Sequence, residues 1–201
     1  MSDSQVIISG LEGKLSDEVF AVATKAVRHL NLSGLIDCVE IVFDDIEPGR
    51  QPWLSFNNPK YPVIWAHAGD LSELPAEQQY AWELSELKHN ADNTEMNSTS
   101  ISRFIYHQLL VLRDLLDGSV VLQDDMPESL QQSWSISVDG RLQQMGFPGY
   151  SAAECRRRFY RKYSTTGVLL PIHWETFREL WDTEDVNIDI LKDACSRLPI
   201  I

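Results

Sequence analysis

The segment ISRFIYHQLLVLRDLLDG, residues 101–118, constrains this chain more than any other. Apolar residues cover most of the circumference of the helix it predicts, and a helix apolar nearly all round belongs inside a core. Gly118 supplies the stop such a helix needs. Within the apolar cylinder stand one histidine, His107, then Gln108 and the carboxylates Asp114 and Asp117. A polar group taken into a core has to be satisfied there, which makes these residues the first candidates for structural or chemical roles.

The flanking sequence sets what this helix packs with. Val19, Phe20, Ala23, Ala26, Val27 and Leu30 recur at three and four residues and predict an amphipathic helix. Ser16 is its expected N-cap, Leu15 and Phe20 its hydrophobic staple, and residues 31–34 its end. Residues 38–46 alternate Val39, Ile41 and Phe43 against Glu40 and Asp44, the period of a half-buried strand. A loop bearing Trp53, Asn57, Asn58 and Pro59 leads to a second strand with Val63, Ile64 and Trp65. A helix is expected from Pro75, with Tyr80, Leu84 and Leu87 on one face, followed by a polar surface loop over 89–100.

Past Gly118 the pattern stays helical. Pro127 opens a helix that turns Leu130, Trp134, Val138, Leu142 and Met145 inward and stops at Gly146. Ser151 and Glu154 form a capping box for a helix through Tyr163. Two more helices follow, one around Trp174, Phe177, Leu180 and Trp181, the other around Ile188, Leu191, Cys195 and Leu198. Two or three strands followed by several helices predict an α+β fold. A small sheet, mainly antiparallel or mixed, is expected to pack on the buried 101–117 helix. At 201 residues the chain can bury a core of its own, so 1–201 is read as a single domain with 150–201 as a helical C-terminal extension.

Charge narrows the partners. With 17 Lys+Arg against 30 Asp+Glu the formal charge is −13, which repels phosphate backbones at long range and argues against nucleic acid. No run approaches the ~20 apolar residues of a membrane span, and MSDSQVIISG lacks the basic-then-apolar order of a leader. A cytoplasmic protein without a membrane partner is expected. Cys38, Cys155 and Cys195 form no C-x-x-C pair and are read as buried reduced thiols, a catalytic thiol being the alternative. The run CRRRFYRK, residues 155–162, interleaves basic and aromatic residues as nucleic-acid binders do. Its helical period turns Cys155 and Phe159 inward, which leaves a solvated or ion-paired basic face. An acidic protein partner is the functional alternative for that face.

A helix and a small sheet before IYHQLLVLRDLLDG, with WSISVDGRLQQMG on the next helix, together resemble the minimal zincin-like fold of the gluzincin metallopeptidases. Relatives of that family carry H-E-x-x-H-x-x-D-x-x-D on the motif helix and W-x-x-x-x-D-G-R-L on the following one. On that alignment His107 matches the first His, Gln108 the Glu, Val111 the second His and Asp139 the third ligand. Asp114, Asp117, Trp134, Gly140 and Arg141 match the surrounding pattern. In such peptidases two His hold zinc while the Glu takes a proton from the metal-bound water. Here the Gln108 amide is no base at neutral pH, and Val111 has no atom that binds a metal.

The resemblance therefore implies a pseudo-metallopeptidase with no catalytic residue and no cofactor. It implies a vestigial pocket at His107, Gln108, Val111, Asp114 and Asp139, and a protein or peptide partner in a binding or regulatory role. Two alternatives stand beside it. One is an active metal-dependent hydrolase in which His107 and Asp139 hold zinc with help from Asp114 or His67. The other is an α+β interaction module unrelated to peptidases, with the 156–162 face as its contact surface. From the residues alone, His107 suits a core imidazole donating to a carbonyl or carboxylate better than a pocket residue, and Asp114 and Asp139 suit buried carboxylates satisfied by Arg113 or Arg141. Gly140, costly inside a helix, points to close helix packing.

Overall fold

The computed structural model describes residues 4–44, 53–55, 57–67, 71, 98–121, 126–164 and 168–199. Their order is β1 (Gln5–Ser9), α1 (Gly13–His29), a 3-10 turn (Leu32–Gly34), β2 (Cys38–Phe43), β3 (Trp53–Ser55), β4 (Val63–Ala66), α2 (Ser98–Leu116), α3 (Glu128–Gln144), α4 (Ala152–Ser164), α5 (Pro171–Asp182) and α6 (Ile188–Ser196). Four strands in one sheet and six helices among the described residues make the chain α+β. Its contacts fall into two compact units, Met1–Leu109 and Leu110–Ile201.

In the first unit the strand order is β1-β2-β4-β3. β1 and β2 run parallel, as do β2 and β4, and only β3 is antiparallel to its neighbour β4. The sheet is thus mixed, one of the two forms expected, with two parallel pairs and one antiparallel pair. Parallel neighbours need a crossover rather than a hairpin, and α1 supplies it between β1 and β2. Register pairs Val6 with Val39, Ile41 with Ile64 and Phe43 with Ala66, so the buried side chains stack on one face of the pleat. β1 is a strand the hydrophobic pattern did not predict, and residues 53–55, expected in a loop, are β3.

Helix α1 buries Val19, Ala23, Ala26 and Val27. It begins before Ser16, after Glu12 as N-cap and without a side-chain cap, and Phe20 is exposed. The Ser16 cap and the Leu15–Phe20 staple are therefore corrected. Tyr106 on α2 shares a 2.8 Å hydrogen bond with His29 Nδ1 on α1, and Ser100 Oγ donates to the Leu71 carbonyl at 2.7 Å. Residues 98–100, expected in the polar loop, are the first turn of α2. The helix expected from Pro75 and the rest of that loop lie outside the described residues.

In the second unit α4, α5 and α6 pack on α3. Gly140 explains how closely α5 approaches: a Cβ built there would stand 2.1 Å from the Trp181 carbonyl oxygen. Leu130, Trp134, Val138 and Leu142 are buried as expected, whereas Met145 is exposed. Gly118 and Gly146, both at positive φ, stand just past α2 and α3 as the sequence predicts. The Ser151–Glu154 capping box forms in both directions, Ser151 N donating to Glu154 Oε2 at 2.8 Å and Glu154 N to Ser151 Oγ at 3.3 Å. No described helix is long and apolar enough to cross a membrane.

Candidate functional site

The last turns of α2 and one face of α3 build a buried polar node. Trp134 and Arg141 are seven residues apart, two helical turns, and so project from the same side of α3. Both reach Asp114. Arg141 Nη1 donates to Asp114 Oδ1 at 2.7 Å, Arg141 Nη2 to Oδ2 at 2.6 Å, and Trp134 Nε1 to Oδ2 at 2.7 Å. The guanidinium also donates from Nε to the Ser137 carbonyl at 3.3 Å. The fork-to-fork geometry is the strong form of an arginine–carboxylate pair, and both oxygens of Asp114 are engaged.

Asp139 lies two residues before Arg141 and so on the opposite side of α3. It is buried, with Oδ1 accepting the Tyr150 backbone amide at 3.2 Å and Oδ2 within 3.5 Å of Cys155 Sγ. Burial, and then the negative charge of Asp139, push the Cys155 thiol far above the ordinary range. Since the thiolate is the nucleophilic form, this burial argues against a catalytic thiol at Cys155. Burial also raises Cys38, with Glu40 adding to it.

His107, Gln108 and Val111 are half-buried on α2. His107 and Gln108 belong to the first unit and Val111 to the second. His107 and Val111, four residues apart, share a face, and one of the two is aliphatic. His173 is buried, and its Nδ1 accepts the Leu170 amide at 3.1 Å, closing the first turn of α5.

Beside Asp114 and Arg141 a cleft of about 660 Å³ opens within the second unit, lined also by Arg113, Asp117, Asp185 and Asn187. The sequence reading missed the contribution of the 184–187 segment. Its local signal was Asn187, whose side chain caps α6 by accepting from Asp189 N and Ile190 N. The bond from Ile188 N to the Ser119 carbonyl, 3.2 Å, pins α6 beside the end of α2, a long-range contact that no local pattern announces.

The donor set does not fit a catalytic zinc. Such sites take three protein ligands and a water. Here Gln108 is no base at neutral pH and Val111 has no ligating atom, while Asp114 and Asp139 are already committed to Arg141, Trp134, Tyr150 and Cys155. Among the described residues no group of three or more His, Cys, Asp or Glu side chains is placed to hold a metal ion. No protein-family model matches the chain, and no curated protein or solved structure is significantly similar to it.

Proposed function

We propose that this chain is a binding or regulatory protein of zincin-like ancestry that does not carry the peptidase reaction. The observation that supports it best is the use made of Asp114. A carboxylate standing in the motif helix, where a peptidase would keep polar groups near its metal, instead accepts three hydrogen bonds from Arg141 and Trp134. Asp139, aligned with the third ligand, serves the turn after α3 through Tyr150 N. Both acids therefore hold helices and turns together.

A hydrolase using His107 and Asp139 would have to release Asp139 from its contacts and find a base other than Gln108. What the chain binds, on this reading, is a protein or peptide.

Restoring the motif tests the ancestry. Gln108→Glu together with Val111→His returns a base and a second imidazole to one face of α2. On the proposed alignment the double variant binds zinc more tightly than the parent in a calorimetric titration, through His107 and the new imidazole, and a further His107→Ala change abolishes the gain. A double variant that binds zinc no better than the parent overturns the zincin-like alignment.

A further inference from the structure

We infer that the outer face of α4, together with the start of α5, docks an acidic segment of a partner protein studded with apolar residues. This rests on the binding role proposed above and names its surface. Helix α4 carries Arg156, Arg157, Arg158, Arg161 and Lys162 against the single acid Glu154, in a chain whose formal charge is −13. Its inner side is fully used: Cys155, Phe159 and Tyr163 are buried, with Phe159 against Trp174 and Phe177 at centroid distances of 5.5 and 5.3 Å.

The outer side combines charge with exposed apolar area. Tyr160 is 55% exposed, and its ring stacks on Trp174 at 8° and 6.5 Å, which ties α4 to the beginning of α5. There Val168 is 85% exposed, Leu170 53% and Ile172 39%. Aliphatic side chains left together in water mark interaction surfaces. Most of the cations are engaged within the chain, Lys162 with Glu128, Arg156 over the Phe177 ring and Arg158 over the Tyr150 ring at 4.0 Å, and Arg161 also has a partner. Arg157, one turn before Tyr160, is exposed and meets no carboxylate among the described residues.

Charge selects the occupant. RNA or an anionic membrane spreads negative charge well past the ~8 Å screening length, so it meets the repulsion of the whole chain as well as this patch. Val168, Leu170 and Ile172 also offer no face on which bases stack. A short acidic helix bearing leucines stays within the local field, and its apolar stripe covers the aliphatic residues, the helix-on-surface mode of peptide recognition. Tyr and Arg are the side-chain types that dominate such contacts.

The test is fluorescence anisotropy with the full chain and a labelled synthetic helix of Glu and Asp with Leu at i, i+3, i+4 and i+7. Gln-substituted helix, oligoadenylate and phosphatidylserine vesicles serve as comparison probes. The acidic helix binds, binding falls with salt, and Arg157→Glu or Leu170→Ser each weaken it ~10-fold with an unchanged circular dichroism spectrum. Absence of binding, variants that bind as tightly as the parent, or tighter binding of oligoadenylate or vesicles overturns the proposal. A failed patch in a chain that takes up no zinc overturns this surface alone, whereas zinc uptake with peptide cleavage overturns the binding role.

Discussion

Replacing Asp114 by Asn keeps the shape of the side chain and removes its charge, which isolates what the buried node contributes. The Arg141 side chain is 10% exposed and that of Asp114 3%, so solvent does little to screen the pair. The carboxamide has one acceptor oxygen for the three donors that now converge there, and its NH₂ faces N–H groups. Arg141 is left as a buried, uncompensated cation, a change that costs about 3–5 kcal/mol. That is a large part of the 5–15 kcal/mol that typically holds a domain folded. Arg141→Met strands the opposite charge and falls in the same range. The double variant Asp114→Leu/Arg141→Met strands neither, and it costs less than either single change. Urea unfolding followed by circular dichroism and tryptophan fluorescence reads all three. The reasoning is refuted if Asp114→Asn lies within ~0.5 kcal/mol of the parent, the range of an inconsequential surface change, or if the double variant is no better than the singles.

Two further outcomes follow from the second unit. Gly140→Ala gains ~1 kcal/mol of helix propensity, yet its Cβ meets the Trp181 backbone oxygen at 2.1 Å; α3 and α5 separate and stability falls by about 1–3 kcal/mol, so a stabilised variant in urea unfolding would contradict the packing. Cys155 gives a pH dependence of defined sign: its folded-state pKa is raised while the unfolded thiol ionises near ~8.5, so the unfolded state binds fewer protons at alkaline pH. Its contribution is complete below that value and is lost as pH rises, at ~1.4 kcal/mol per unit. Unfolding at neutral and alkaline pH should show a loss in the parent that Cys155→Ala lacks, and equal slopes would contradict the assignment.

How much of this was legible in the sequence depended on the range of each interaction. The capping box at Ser151 and Glu154, the glycine stops at 118 and 146 and the alternation of Val39, Ile41 and Phe43 are local patterns, and each took the form expected. β1 escaped because Val6, Ile7 and Ile8 are consecutive apolar residues without alternation, and its partner β2 begins 33 positions later. Parallel pairing of this kind is set by a crossover that leaves no turn signature. β3 has only three residues, too few to carry a period.

The candidate site divides in the same way. Asp114 beside Arg141 was foreseeable because a buried carboxylate needs a cation. The partners of Asp139 were not, since Tyr150 N and Cys155 reach it only through the path of the chain after Gly146. Phe20 and Met145 carry the periodicity of core residues and face outward; hydrophobic spacing defines a stripe, and neighbouring elements decide how much of it is covered.

The central claim is that His107 and Asp139 do not serve a metal-dependent reaction. Metal content of the parent chain, purified without chelator or affinity tag and measured by mass spectrometry, followed by zinc titration of the apo form, tests it most directly. The account predicts no stoichiometric metal and no saturable uptake. One zinc per chain that survives dialysis and is lost in His107→Ala would contradict it.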